Sequence, residues 1–239
     1  MTNTLLAILG RGIQHPSATS QEWVLTPDLE ICDKKGAHLA VRVPENDNVR
    51  NSVIGGGELN VLAGALLARK LRPQIVTCAY GARSKYLNSI GAPSESQIMT
   101  DAFLAEAKRQ NGMVPEVNIF NEEEWKADAS GTNRELYNVF SLATRLRVPK
   151  VAILTVAVHL PRTIVMAQEH LKKESKFKGI TLECHASELV LLDADPAKYG
   201  DRVRRIFGSK SYARNLDREM SGINDLFAGK YKSIASVIK

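Results

Sequence analysis

Two hydrophobic rhythms alternate along the chain. Short apolar runs rich in β-branched residues stand near Leu5–Leu9, Gln74–Ala79, Val117–Phe120, Val151–Val156 and Thr181–Cys184. Their near-continuous apolarity predicts strands buried on both faces. Between them the period lengthens to that of a helix. In 58–71, Leu59, Leu62, Ala63, Leu66 and Leu67 share one face, and in 133–147 Leu136, Val139, Phe140 and Ala143 do the same. The segment 94–110 opens on Ser94 with acid chemistry behind it, and 161–173 opens on Pro161, whose missing N–H costs nothing in a first helical turn. Strand and helix in alternation predict an α/β fold: a doubly wound, mainly parallel Rossmann-like sheet with helices on both faces.

Two segments fall outside this rhythm. Residues 13–54, with Trp23, Pro27, Pro44 and "PENDN", are polar and too long for a plain strand–helix loop. They predict an inserted excursion, a small hairpin or ordered cover over the top of the sheet. Residues 196–239 read as one or two helices. The predicted organisation is a Rossmann-like domain over 1–195, with its insertion at about 13–54, followed by a helical extension over 196–239.

Charge sharpens the view of that extension. The chain carries a net +6, and ten Lys/Arg against four acids from residue 196 onward account for all of it. A basic tail of this kind is either a solvated helical face or an arm that attracts nucleic acid, and no nucleic-acid motif accompanies it. No apolar run approaches the ~20 residues of a membrane span. The first apolar stretch, Leu5–Leu9, has no basic lead and suits a strand better than a signal peptide. Cys32, Cys78 and Cys184 form neither a disulfide framework nor a metal-binding pair, so a reducing, cytoplasmic setting is expected.

Candidate chemistry collects behind the predicted strands, where open parallel sheets bind ligands. The first strand is followed by Gly10-Arg11-Gly12, the second by Tyr80 to Ser84, the third by a stretch holding Asp128, Thr132, Asn133 and Glu135, and the fourth by "VHLPR" with His159 and Arg162. Gly10 and Gly12 do not complete a dinucleotide fingerprint, and no acid ends the second strand to hold a ribose. Gly55-Gly56-Gly57-Glu58 opens a helix and either cradles an anion or lets two backbones approach. "SGTNRE" predicts a capping box in which Ser130 or Thr132 pairs with Glu135. Arg162 lies at a helix start that already carries partial positive charge, which predicts an anion or carboxylate between it and His159. Asp128 or Glu135 is expected to orient the His159 imidazole or a ligand hydroxyl, and Gly10, Arg11, Gly12, Gly55–Gly57, Glu58, Ser84, Thr132, Asn133 and Arg162 to bind the ligand at the same site. No metal motif and no nucleophile elbow is present.

In this order, "AILGRG", "PSESQIM", "NGMVP", the acid-rich "TNRE" and above all "TVAVHLPRT" resemble the YdcF-like family over roughly Leu5 to Cys184. The family pattern reads Asn-Thr-x-Glu where this chain has Thr132-Asn133-Arg134-Glu135, with the first two residues transposed. The resemblance implies a Rossmann-like fold with His159 and Arg162 at its site, and it makes S-adenosylmethionine one ligand to expect. The residues together predict a site for a small anionic ligand, nucleotide-like or phosphorylated, with His159 as general acid or base in hydrolysis or group transfer. The alternatives are a binding module for S-adenosylmethionine or a nucleotide, without turnover, and an interaction protein working through its basic tail.

Overall fold

The computed structural model describes residues 2–15, 20–28, 55–83, 85–110, 116–121 and 131–230. In chain order these form β1 (Thr2–Ile8), β2 (Ile13–Gln14), β3 (Val24–Leu25), α1 (Gly57–Leu71), β4 (Pro73–Cys78), α2 (Lys85–Ser89), α3 (Glu95–Arg109) and β5 (Glu116–Val117). They continue with α4 (Thr132–Arg145), β6 (Lys150–Thr155), α5 (Leu160–Lys173), β7 (Thr181–Ala186), α6 (Ser187–Ala194), α7 (Pro196–Phe207) and α8 (Lys210–Phe227). Of the expected site residues, Ser84 and Asp128 lie outside the described residues, as do 29–54 of the insertion.

Five strands pair in parallel in the order β5-β4-β1-β6-β7. The chain builds outward from β1 on one side through β4 and β5, then returns and builds outward on the other through β6 and β7. This is a Rossmann-like doubly wound sheet, and its strand order reverses between β1 and β6. Alternation along β1 explains the unbroken apolar run. Leu6 and Ile8 face α1, α3, α6 and α7, while Leu5, Ala7 and Leu9 face α4 and α5. Both sets are fully buried.

Two strand ends differ from the sequence reading. β5 pairs only at Glu116 and Val117, because beyond one further bond from the Asn118 N–H to Val76 O the Phe120 N–H turns to the Ser96 hydroxyl. β7 runs on to Ala186, since β6 offers it a partner as far as Thr155. The start of the insertion is a hairpin, with Ile13 and Gln14 antiparallel to Leu25 and Val24.

The C-terminal extension packs back onto the domain. Tyr199, Val203 and Ile206 of α7 are buried, and Arg202 forks onto Asp28 at 2.6–3.1 Å. Asp195 and Ser209 cap α7 and α8 by accepting the Lys198 and Tyr212 N–H groups. Among the described residues no helix is long and apolar enough to cross a membrane.

The glycine run before α1 is a point of close approach. Gly56 has φ +94°, and a Cβ built there would collide with Val156 Cγ1 in the loop behind β6. Gly56→Ala is therefore expected to cost about 2 kcal/mol or more from left-handed strain and overpacking together. Chemical denaturation measures it, and a loss within about 0.5 kcal/mol would mean the loop yields freely.

Candidate functional site

The loops behind β1 and β6 meet where the strand order reverses. Asn60 of α1 donates to Leu9 O at 2.8 Å and accepts from Ser187 Oγ at 2.7 Å, locking the carboxyl end of β1 to the start of α6. The Gly10-Arg11-Gly12 loop is strapped by two carboxylates. The Gly10 N–H donates to Glu135 Oε1 at 3.1 Å, and the Gly12 N–H donates to Glu95 Oε1 at 2.6 Å. Burial raises the pKa of Glu95. It pushes Glu135 up to about 8, with the nearby Glu95 charge adding to the effect and the Gly10 and Tyr80 amides opposing it.

These bonds correct the expected anion cradles. The loop amides of Gly10 and Gly12 are committed to the chain's own carboxylates. At the start of α1, the Gly56 N–H donates to Pro27 O, the Gly57 N–H to Thr26 Oγ1 and the Glu58 N–H to Thr26 O. Gly55 O accepts from Arg11 Nε at 3.0 Å. The hairpin thus fills the helix end that a phosphate would have used, and the glycines serve backbone approach. Glu58 is exposed, with Arg202 at 4.0 Å, on the α7 side of this junction.

His159 sits at the N-terminus of α5, only 3% exposed. Its Nε2 lies 3.0 Å from the Thr132 hydroxyl at the start of α4. Its Nδ1 lies 2.9 Å from Glu219 Oε1 on α8, off the axis of the ring N–H. Glu219 Oε2 lies 3.4 Å from an Arg162 terminal nitrogen. One turn further along α8, a Cβ on Gly222 would approach Arg162 Cδ to 3.0 Å, so glycine there lets the helix close onto the guanidinium. A carboxylate does stand between His159 and Arg162, and it comes from the C-terminal extension.

Two sequence expectations are overturned here. α4 has Gly131 at its N-cap and no side-chain cap, so Thr132 and Glu135 form no capping box; Ser130 lies outside the described residues. Thr132 turns to His159 and Glu135 to Gly10 instead, at the expense of the helix end. Among the described residues the carboxylate that approaches the imidazole is Glu219 rather than Glu135; Asp128, the other candidate, lies outside them. Glu219 left one signal in the sequence: an acid on the α8 stripe shared by Asn215, Gly222 and Ile223, all of them buried. Asn133 contributes its carbonyl, which accepts from His170 Nε2 at 2.9 Å inside the packing of α4 on α5.

Electrostatics favour one protonation pattern. Burial lowers the His159 pKa, and Arg11 and Arg162 add to this against the pull of Glu219. Glu219 is raised by burial, but the His159 contact and the charges of His159, Arg11 and Arg162 outweigh this and leave it lowered. At neutral pH the group is a neutral imidazole beside an ionised carboxylate, with Nδ1 facing Glu219 and Nε2 able to accept from Thr132. Arg11 is the common neighbour, its charge felt by Glu95, Glu135, His159, Glu188 and Glu219.

Other candidates fall away from this centre. Cys78 is buried in β4 with its thiol pushed up to about 12 by burial, which makes it a core residue. His185 pairs with Glu183 at 3.1 Å on the edge strand. Among the described residues no group of three or more His, Cys, Asp or Glu side chains is placed to hold a metal ion. Comparison with family models, with curated proteins and with solved structures gives no match to this chain.

Proposed function

We propose that the chain is a small-molecule-binding Rossmann-like protein of the YdcF-like type, acting on a phosphorylated or nucleotide-like ligand by acid–base chemistry at His159. One observation carries this reading: the Thr132–His159–Glu219 chain of contacts lies beside Arg162 at the point where the strand order reverses. A neutral, buried imidazole between a hydroxyl and a carboxylate is equipped to take a proton at Nε2 while the carboxylate stabilises the imidazolium that forms. The proton comes from Thr132 or from a water or ligand hydroxyl in its place. Arg162 and Arg11 supply positive charge for a developing anion, and the reaction class is hydrolysis or group transfer at a phosphate or sugar-linked centre.

The alternatives draw less support. An S-adenosylmethionine or nucleotide module of ordinary layout uses free amides behind β1 and an acid behind the second parallel strand. Here the amides are spoken for, and that strand runs into Ala79-Tyr80-Gly81. Of the extension's basic side chains, Arg202, Arg204 and Lys230 pair with Asp28, Asp201 and Asp225, which leaves fewer of them for a nucleic-acid arm.

The test is turnover on a panel of phosphate monoesters, nucleotides and sugar phosphates. His159→Ala and Thr132→Ala are each expected to lower kcat/KM by about 10²–10⁴ while the fold is retained, and Thr132→Ser to keep most of it. Because the imidazole acts in its neutral form and its pKa is lowered, the acid limb of the profile is expected below the ordinary value of about 6.5. Undiminished turnover in His159→Ala defeats the proposal.

A further inference from the structure

A cavity of about 300 Å³ lies at the edge of the sheet opposite His159. α1 and α3 run back from the carboxyl ends of the strands to deliver β4 and β5, so their last turns stand at the amino edge. Side chains from those two last turns and from the start of α7 line the cavity. Its charge is mainly positive. Arg69, Arg109 and Lys198 face one lining acid, Asp195, which is engaged as the α7 cap and accepts the Lys198 N–H at 3.0 Å. Glu106, behind the lining, answers Arg109 with two bonds of 2.7 Å. That fork fixes the plane of the guanidinium and takes two of its five N–H donors.

Arg69 and Lys198 have no such answer, since neither makes an ion pair among the described residues. Lys198 also stands at the wrong end of its helix. It occupies the first turn of α7, where the aligned peptides already carry partial positive charge. At the start of α5 the same arrangement, in Arg162, is met by the Glu219 carboxylate. The chemistry that answers Arg69 and Lys198 is therefore anionic, and the other walls narrow its kind. Leu66 and the buried Tyr199 are apolar surface, and a guanidinium held flat is a plane on which a nucleobase stacks. Inorganic phosphate uses the charge alone, a nucleoside uses the wall and the plane alone, and a nucleoside monophosphate uses all three. We propose that this cavity is a second ligand site, for a nucleoside monophosphate, with the phosphate on Arg69 and Lys198 and the base on Arg109. It stands independently of the reading of His159.

Calorimetric titration of the full chain with AMP, adenosine and inorganic phosphate tests the site. AMP is expected to bind about tenfold or more tightly than either of its parts. Lys198→Glu places an acid in the first turn of α7, which the helix favours, so it is expected to weaken AMP about tenfold or more without lowering the thermal midpoint. Loss of binding in this variant is thus separated from loss of fold. Arg69→Ala is expected to act in the same direction, and Arg162→Ala to leave this binding unchanged. A stoichiometry of two, with Lys198→Glu removing one event and Arg162→Ala the other, upholds this site beside the one at His159. No binding of AMP, AMP bound no more tightly than phosphate, or AMP bound undiminished by Lys198→Glu overturns the proposal; in the last case loss in Arg162→Ala assigns the nucleotide to the His159 edge alone.

Discussion

Replacing Glu135 by glutamine is expected to stabilise the fold at pH 8 and to flatten its dependence on pH. The Glu135 carboxyl is buried against the Gly10 amide with Glu95 as a charged neighbour, and its pKa stands at about 8. An unfolded chain holds this proton only up to about pH 4.3. Between those values the folded state keeps a proton that the unfolded state has lost, so stability falls as the pH rises through the window. Every tenfold difference in proton affinity between the two states corresponds to about 1.4 kcal/mol, which puts the loss at ~3–5 kcal/mol by pH 8. Glutamine is uncharged at every pH and can still accept the Gly10 N–H through its amide oxygen. Thermal unfolding of wild type and Glu135→Gln from pH 5 to 8.5 should therefore give curves that meet at the acid end and separate at the alkaline end. Glu95, itself raised by burial, leaves the variant a residual slope of the same sign. Parallel curves would show that Glu135 is ionised in the fold and hydrated after all.

The same residue marks the limit of what the chain's sequence discloses. The sheet was legible because Leu5 to Leu9 are each buried on one face or the other, so that burial itself wrote the apolar run. His159 and Arg162 were legible as a charge problem: a cation at a helix start calls for an anion. Which carboxylate answers could not be read. Glu219 stands 57 residues beyond Arg162, on a helix whose docking depends on packing that no local pattern encodes. Thr132 and Glu135 misled for the opposite reason. Their spacing fits a capping box, and tertiary bonds to His159 and Gly10 outweighed the local ones. The glycines before α1 misled similarly, since a helix start with bare amides looks alike whether a phosphate or the Thr26 backbone and hydroxyl fills it.

Glu219 itself yields the second large effect. Its carboxylate lies 2.9 Å from His159 Nδ1 and 3.4 Å from Arg162, where an anionic ligand group would profit from the same two partners. It therefore does two opposing things. On the proposed function, it stands beside the imidazole that would transfer the proton, and it would compete by charge with any phosphate drawn to Arg162. Glu219→Gln removes the charge and preserves the shape, so the two effects separate. Affinity for inorganic phosphate is expected to rise about tenfold or more, because unit charges about 4 Å apart near a surface interact by up to about 4 kcal/mol at an effective dielectric near 20. Turnover on the best phosphate ester is expected to fall by about 10²–10⁴, as happens when a carboxylate that orients a catalytic imidazole is made neutral. Loss of the carboxylate also lowers the His159 pKa further, which moves the acid limb of the pH profile down, an effect that no merely structural tether of α8 produces. Titration with phosphate and a kcat/KM profile on the same variant decide the matter. Unchanged phosphate affinity together with an unmoved acid limb would reduce Glu219 to a clasp that fastens α8 to the domain, and would leave His159 without its orienting partner.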